Sequence, residues 1–368
     1  MRPFLDRDGK KAKQPRPLAS GARTSFAEPM RFGLIGYGAW GQHHATAIEK
    51  VPGASVAAIA CRTEASAAAA RRDFPGAAVY LDYRRLLDQA DIDAVDVVVP
   101  NHLHAEMGVA ALERGKDVLL EKPMAASLAE CDRLIAAAGR GGRVLSIGHE
   151  LRLSKQWGRV KALLDAGEIG EPMYALVSLF RFPYRPGSAG WRHEAGRVGS
   201  WVLEELVHHF DLLVWYFERW SEPVSVLSLG NARNGNDPKM SDNFSSVLRF
   251  RAPLYAVVTK TVAGFEYHLA LEIAGTEGAI RTWWSGSMDR TWHPTFDLKV
   301  KRRGQREPET LPIESSGELF ELEEELRQTV IAFTERRPLV SGEEARKRVL
   351  VCLEAERSLR EGREIPLY

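Results

Sequence analysis

One stretch decides the fold of this chain: Gly33-Leu34-Ile35-Gly36-Tyr37-Gly38-Ala39-Trp40-Gly41. The apolar run from Arg31 to Ile35 predicts a strand, and the residues from Gln42 to Lys50 have the pattern of a helix. Between them stand three glycines with the G-x-G-x-x-G spacing. A glycine turn that joins a strand to a helix in this way predicts a dinucleotide-binding site.

Each residue of the turn has an expected task. Gly36 permits the tight turn, Gly38 lets a pyrophosphate approach the backbone, and Gly41 lets helix and strand pack closely. Ala39 and Trp40 lie where the helix begins, and the free N–H groups of a helix start attract phosphate. We therefore expect these five residues to contact the cofactor.

The end of the second strand bears on which cofactor is bound. The strand from Ser55 to Ala60 is followed by Cys61-Arg62-Thr63-Glu64, without an acid at its immediate end to hold the ribose hydroxyls of NAD. Arg62 is suited to stack on adenine or pair with a 2′-phosphate, and Thr63 is suited to donate a hydrogen bond. This pattern favours NADP, with NAD as the alternative.

Two further strands end in polar residues. Val95–Val99 is followed by Pro100-Asn101-His102-Leu103-His104, in which Pro100 and Asn101 are expected near the cofactor. His104 either contributes to that site or caps the next helix. The run Val118–Leu120 ends in Glu121-Lys122-Pro123, which places a charged pair at the ligand-binding edge of the sheet. A salt-bridged strand end is the plainer interpretation of that pair.

The pattern changes near residue 150. Before it, strands alternate with helices, which predicts a parallel, doubly wound sheet. Beyond it, seven strand-like runs alternate in polarity with few helices between them, which predicts a mostly antiparallel sheet with one face covered. We therefore divide the chain into a Rossmann domain (30–150), a substrate-binding and oligomerisation α+β domain (151–340), and a C-terminal helix and tail (341–368).

The segment from Ser200 to Phe217 is predicted as one helix. Its Glu204, His208 and Asp211 follow at i, i+4 and i+7 and so share a face. A histidine oriented by a carboxylate is suited to act as a general base, although a structural histidine is the alternative. The spacing does not predict a metal site. Among nearby residues suited to sugar rings, we select Arg152, Trp191 and Arg192 as substrate contacts.

Composition limits the remaining possibilities. A length of 368 residues predicts two domains, and a net charge of +1 gives no reason to expect nucleic acid or an anionic membrane as a partner. The three cysteines fit no metal or disulfide pattern, which favours the reducing cytoplasm. No apolar run reaches the ~18 residues that a bilayer crossing requires.

The first 29 residues differ from the rest. They hold seven Lys/Arg against three acids, with four prolines and no apolar periodicity. We interpret them as a disordered basic tail. A start at Met30 and a basic arm that contacts a partner are the alternatives.

With these motifs in place, the chain resembles the Gfo/Idh/MocA family, the group of glucose-fructose oxidoreductase and inositol dehydrogenase, from Met30 to Tyr368. The residues that carry the resemblance are the three glycines, Pro100-Asn101 with His104, Glu121-Lys122-Pro123, and the helix with Glu204, His208 and Asp211. The resemblance implies a Rossmann domain with an open, mostly antiparallel α+β domain, whose free sheet face builds homodimers or homotetramers. It also implies NAD(P)-dependent redox chemistry at a sugar or cyclitol carbon.

The resemblance assigns Lys122 and His208 as the catalytic pair. The family has Asp one turn before this histidine, whereas Glu204 stands here, and the longer side chain changes its reach. A sugar or cyclitol dehydrogenase is the first hypothesis. An oxidoreductive glycosidase that recycles its cofactor and a non-catalytic ligand sensor are the alternatives.

Overall fold

The structure is a computed structural model that describes residues 29–233, 237–251 and 253–368. The predicted basic tail therefore lies outside the described residues, apart from Pro29. Within the described ranges, no helix combines the length and the apolarity that a membrane crossing requires.

The first sheet has six strands, all parallel, in the order β3-β2-β1-β4-β5-β6. The strands are β1 (Met30–Ile35), β2 (Ala54–Ala60), β3 (Ala78–Tyr80), β4 (Ala94–Val97), β5 (Asp117–Glu121) and β6 (Leu145–Gly148). The strand order reverses between β1 and β4. Such a point opens a crevice at the carboxyl ends of the strands, where ligands bind. The predicted Rossmann sheet is confirmed.

Helices connect these strands. They are α1 (Ala39–Lys50), α2 (Glu64–Asp73), α3 (Tyr83–Gln89), α4 (His104–Glu113) and α5 (Leu128–Gly141). Side chains cap most of their first turns: Thr63 accepts from the Ser66 amide, and Ser127 accepts from the Glu130 amide. No side chain caps α1, so its first amides stay available.

The second sheet has nine strands in the order β14-β13-β12-β11-β7-β10-β9-β8-β15. Only β7 and β10 pair in parallel, which confirms the predicted mostly antiparallel sheet. The strands are β7 (Pro172–Phe180), β8 (Pro223–Asn231), β9 (Asn243–Phe250), β10 (Tyr255–Thr261), β11 (Tyr267–Gly275), β12 (Gly278–Gly286), β13 (Thr295–Arg302), β14 (Glu309–Thr310) and β15 (Ile365–Pro366).

The helices of the second half pack against both sheets. They are α6 (Trp157–Asp165), α7 (Ala195–Val198), α8 (Val207–Phe217), α9 (Glu318–Thr334) and α10 (Gly342–Glu361). Helix α9 packs beside α1, and its Leu322, Leu326 and Val330 join the apolar core that contains Phe32 and Leu34. A helix from the second half of the chain therefore completes the core beneath the first sheet.

The predicted helix from Ser200 to Phe217 is present from Trp201 onward, but it is not a regular α-helix throughout. After the short, separate α7, the chain forms a π-helical turn over Val202–Leu206 that runs directly into α8. Such turns are uncommon and often lie at functional sites. The three predicted polar residues consequently diverge, with Glu204 in the π turn and His208 and Asp211 in α8.

Asp211 holds three elements together. Its carboxylate accepts two hydrogen bonds from Arg152, at 2.8 and 2.6 Å, and one from Arg348 at 2.9 Å. Arg152 lies in the turn after β6, whereas Arg348 belongs to α10. Burial disfavours the charge of Asp211, but His149 and the two guanidinium groups outweigh it and hold the pKa of this carboxyl well below its usual range. The residue is therefore structural.

Replacing Asp211 by Asn is expected to destabilise the fold. Two buried guanidinium groups would lose their counter-charge, which costs about 3–5 kcal/mol for a broken buried pair. Calorimetry should therefore show a thermal midpoint lowered by several degrees. The matched control is Asp132→Asn, because Asp132 pairs with Arg346 at an exposed site worth about 0–1 kcal/mol. Equal midpoints for the two variants would contradict the assignment.

Candidate active site

A cavity of about 700 Å³ lies between the two sheets, at the carboxyl ends of the first. It brings together nearly all the site residues that the sequence predicts. They are Gly36, Gly38, Ala39, Trp40, Gly41, Arg62, Thr63, Pro100, Asn101, His104, Glu121, Lys122, Trp191, Arg192, Glu204 and His208. Of the predicted set, Arg152 alone is absent from the cavity lining.

The glycine turn has the shape that a dinucleotide requires. Gly36 has a φ of +108°, and a Cβ there would lie 2.1 Å from the Val98 carbonyl oxygen. A Cβ on Gly41 would lie 1.9 Å from the Gly36 oxygen, so both positions need glycine. Gly38 is exposed, with nothing within 4 Å of the corresponding point. The turn is thus closed towards the protein and open towards the cavity, beside the uncapped start of α1, which fits a pyrophosphate.

Arg62 and Thr63 line the far end of the cavity. The Arg62 guanidinium is exposed and donates a hydrogen bond to the Ser188 hydroxyl at 3.0 Å. The Thr63 hydroxyl accepts from the Ser66 amide as the cap of α2. Arg62 can therefore meet a ligand by exchanging a single hydrogen bond, whereas Thr63 already has a structural task.

The residues after β4 serve the junction of the domains. The Asn101 amide donates to the Val198 carbonyl at 2.8 Å and to the Glu204 carboxylate at 3.0 Å. The His104 ring is fully buried, with its nitrogens 2.7 Å from the Pro123 carbonyl oxygen and 2.8 Å from the Val99 carbonyl oxygen. His104 therefore ties two strand ends together, and it does not cap α4, which begins at His104 without a side-chain cap.

Glu121 is the acceptor at the centre of a buried network. Its carboxylate accepts from the Trp40 indole at 2.7 Å and lies 3.0 Å from His44 Nε2. The other ring nitrogen of His44 lies 2.8 Å from Asp96. Burial opposes the charge of Glu121, but His44 outweighs it and lowers the pKa of Glu121 to about 2. A chain of four side chains therefore fixes the residue that precedes Lys122.

His44 carries the positive charge of this network. Burial disfavours its protonation, but Asp96 and Glu121 on either side raise the pKa of His44 to about 10. The ring is therefore a cation at neutral pH, between two carboxylates. This explains how Glu121 stays ionised while 7% exposed.

Lys122 crosses from the first domain to the second. Its Nζ donates to the backbone carbonyl of Glu204 in the π turn, at 3.2 Å. The peptide bond between Lys122 and Pro123 is cis. Burial disfavours the ammonium charge, but Glu204, Glu150 and Glu121 outweigh it and raise the pKa of Lys122. The side chain is therefore a charged hydrogen-bond donor at the cavity wall.

His208 lines the cavity opposite this lysine. Burial, followed by the charge of Lys122, holds the pKa of His208 well below its usual range, so the imidazole is neutral. Its Nδ1 is buried without a hydrogen-bond partner. The nearest carboxylate recorded for it is Glu150, whose Oε1 lies 3.8 Å from Nδ1.

The expected partnership of Glu204 with His208 is not what the structure shows. Glu204 accepts from Arg192 Nε at 2.7 Å and from Asn101 at 3.0 Å. The π turn directs this carboxylate towards the domain junction. Its side chain thus positions the loop that carries Arg192, and its backbone carbonyl receives Lys122.

The prediction that Arg152 binds substrate must be corrected. Its guanidinium donates to Asp211 and, at 3.1 Å, to Glu344 at the start of α10. The side chain is 8% exposed and lies outside the cavity lining. Each of its three guanidinium nitrogens donates to a carboxylate, so this arginine has a structural role in the buried salt-bridge network.

Other charged residues of the cavity were not selected from the sequence. Arg181 pairs with Glu205, which also accepts from the Tyr267 hydroxyl at 2.5 Å. Arg290 lies 4.1 Å from the Trp40 ring centroid and donates to Glu318 at 3.1 Å. The position of Glu205 directly after the predicted Glu204 is a sequence signal that could have identified it. Arg181 follows β7 and is one of the residues near the predicted helix that suit sugar rings. Tyr267 of β11, Arg290 and Glu318 of α9 come from distant elements, and no local signal identifies them.

In the ranges that the structure describes, no group of three or more His, Cys, Asp or Glu side chains is arranged to hold an ion.

Comparison with known proteins agrees with this geometry. Residues 30–149 match the model of an oxidoreductase family with an NAD-binding Rossmann fold, and residues 157–281 match the GFO/IDH/MocA C-terminal domain. An inositol 2-dehydrogenase 2 of Saccharopolyspora erythraea is 38% identical over 75% of this chain and 76% of its own. An inositol 2-dehydrogenase of Acidothermus cellulolyticus is 31% identical over 68% of this chain and 72% of its own.

The fold recurs among solved structures. A levoglucosan dehydrogenase in complex with NADH superposes with a TM-score of 0.80 at 22% identity, over 93% of this chain and 100% of its own. Both domain models match in sequence order, and the glycine turn, Lys122 and His208 meet in one cavity. The chain therefore belongs to the Gfo/Idh/MocA family of oxidoreductases.

Proposed function

We propose that this protein is an NAD(P)-dependent dehydrogenase that acts on a carbinol or keto carbon of a sugar, sugar derivative or cyclitol. One observation carries the proposal: Lys122 and His208, from different domains, line the same cavity that the glycine turn borders. The names of two relatives, both inositol 2-dehydrogenases, support a cyclitol or a similar polyol as substrate.

The two residues have complementary tasks. A bound nicotinamide would supply or accept the hydride. The neutral His208 ring is suited to take the proton of the substrate hydroxyl, because burial keeps it in the basic form. The Lys122 ammonium is suited to donate a hydrogen bond to the same oxygen and to stabilise negative charge that develops there.

The charges of the inner cavity favour an uncharged substrate. Arg181, Arg192 and Arg290 each pair with a glutamate: Glu205, Glu204 and Glu318 respectively. Their guanidinium groups are therefore neutralised before a ligand arrives. Arg185 lines the cavity from an exposed position. A carboxylated or phosphorylated sugar would find Lys122 as its main counter-charge in the interior, close to several carboxylates.

Oligomers through the second sheet form a further part of the proposal. One face of this sheet carries exposed apolar side chains, which none of the helices within the described residues covers. Leu227 and Leu229 of β8 are 40% and 72% exposed, and Tyr255 of β10 is 45% exposed. An exposed apolar sheet face is typical of a subunit interface. We infer a homodimer or homotetramer built on this face.

A cytoplasmic location also belongs to the proposal. Cys61, Cys131 and Cys352 are buried as free thiols. Thiols that persist unpaired are typical of a reducing compartment.

Replacing either catalytic residue should abolish most turnover. Lys122→Ala and His208→Ala are each expected to lower kcat by about 10²-fold or more, the usual contribution of a positioned acid or base. Cofactor reduction with a reactive polyol measures this. Lys50→Ala and His293→Ala, both exposed and outside the main cavity, are the controls. Full turnover in a Lys122 or His208 variant would overturn the assignment.

The paired arginines predict a preference among substrates. Neutral inositols, aldoses and anhydrosugars should react with kcat/KM values at least about tenfold above those of uronates and sugar phosphates, equivalent to about 1.4 kcal/mol. A panel at fixed cofactor concentration tests this preference. Faster reaction with the anionic compounds would contradict it.

Arg62 is expected to favour NADP. Arg62→Ala should raise KM for NADP by about tenfold, because a hydrogen bond to a charged group is worth about 1.5–3 kcal/mol, and should leave KM for NAD unchanged. Steady-state kinetics with both cofactors measure this. Arg84→Ala is the matched control, since Arg84 also lines the cavity but pairs with Glu106 at 2.6 Å. An equal effect on both cofactors would contradict an interaction of Arg62 with the 2′-phosphate.

A further inference from the structure

Nδ1 of His208 has no task in the chemistry assigned to Lys122 and His208 so far. A histidine that acts as a base through one ring nitrogen needs a partner at the other, which fixes the tautomer and orientation of the ring. Glu204, the residue expected for this task, is occupied by Arg192 and Asn101. Nδ1 itself is buried and makes no hydrogen bond in the structure.

Glu150 is placed to be that partner. It begins the short turn over Glu150–Leu153 that follows β6, while His208 is the second residue of α8. Its Oε1 lies 3.8 Å from His208 Nδ1, and its Oε2 is a buried atom without a hydrogen-bond partner. Both residues line the cavity. The unsatisfied Nδ1 of His208 thus lies beside a buried carboxylate that itself has an unsatisfied oxygen.

We infer that Glu150 is the positioning residue of His208 and receives its second ring proton during the reaction. This inference rests on the proposed dehydrogenase function and assigns a residue that the spacing around His208 does not suggest. The pair lies across the domain junction, since Glu150 follows the last strand of the first sheet.

The proton movement balances in both directions. In oxidation, the substrate C–H bond breaks and its hydride passes to the nicotinamide, while the hydroxyl proton passes to His208 Nε2. The Nδ1 proton moves to Glu150 Oε1, so the ring ends neutral and the carboxyl ends protonated. In reduction, the carboxyl returns its proton to Nδ1 as Nε2 gives its own to the carbonyl oxygen. Neither step leaves a buried imidazolium, which burial disfavours.

The surroundings favour the protonated carboxyl. Glu150 faces Glu121 and Lys122 from the end of β5, and Glu318 and Glu325 from α9. Burial, followed by the Glu121 charge, raises the pKa of Glu150 well above its usual range. On the other side, His208 faces Lys122, His149, His209 and Arg181, and these oppose its protonation. These surroundings therefore favour the form in which the Glu150 carboxyl is protonated and the neutral His208 ring keeps its own proton on Nε2, so that the pair holds two protons and is ready for reduction.

The pH dependence of turnover tests the inference. In the wild-type enzyme, kcat for oxidation should keep rising with pH beyond the usual titration range of a carboxyl, because Glu150, whose pKa burial raises, must first lose its proton. In Glu150→Gln this rise should disappear, and kcat for reduction at pH 7 should fall by about tenfold or more with KM little changed. Added formate should restore part of the reduction rate in Glu150→Ala, which also guards against misfolding of the first variant.

Glu325→Gln is the matched control. Glu325 is buried in the same acidic surroundings, and burial also raises its pKa, but it is not among the cavity-lining residues. This variant should keep the rise of the oxidation rate with pH. An equal loss of the rise in both variants, or an unchanged profile in Glu150→Gln, would overturn the inference.

A second readout separates this inference from the proposed function. Nitrogen-15 NMR of the histidine rings in the free protein reports the tautomer of His208, identified by its loss in His208→Ala. The His208 signals should move between pH 6 and pH 9 in the wild type and in Glu325→Gln, but not in Glu150→Gln. Titration without any polyol turnover would sink the dehydrogenase proposal alone. His208 signals that respond to pH in the same way in the wild type and in Glu150→Gln would contradict the pairing with Glu150 but not the proposed function.

Discussion

The buried carboxylate of Glu121 is the constraint on which the site depends. A charge this deep persists only with partners, and Trp40 and His44 supply them from the glycine turn and from α1. His44 is in turn held by Asp96 of β4. Helix α1, which starts within the glycine turn, and strand β4 thereby fix the end of β5. The next residue, Lys122, leaves that end in a defined direction and reaches the backbone of the second domain.

In the second domain, an irregular helical turn binds this lysine. The π turn over Val202–Leu206 presents the Glu204 carbonyl to Lys122 and its carboxylate to Asn101 and Arg192. The same turn sets the start of α8 and hence the position of His208. The contacts of Glu204 with Lys122 and Asn101 join the two halves of the chain, so the chemistry and the domain arrangement rest on the same bonds.

Much of this could be predicted from the sequence, because the signals were local. The glycine turn between a strand and a helix, and the charged residues after Leu120, follow from spacing and strand ends alone. The alternating strands beyond residue 150 gave the open sheet for the same reason. These features need only a few adjacent residues to be recognised.

What could not be predicted depends on contacts between distant residues. Helical periodicity placed Glu204, His208 and Asp211 on one face of a helix. The structure contains a π turn there, which a period of 3.6 residues does not predict, and the three side chains have different partners. Arg152 resembled a sugar ligand until Asp211 and Glu344 were seen to neutralise it. His44 and Glu150 show only ordinary helix and turn patterns. Their importance comes from burial beside Glu121 and His208 respectively.

Hydride transfer at the cavity between Lys122 and His208 is the central claim. The most direct test is a single turnover with excess enzyme, oxidised cofactor and an inositol deuterated at every ring carbon. If the claim is right, the reduced cofactor carries one deuteron at nicotinamide C4, alongside one equivalent of ketone. Bound cofactor that stays oxidised, or reduced cofactor without deuterium, would contradict it.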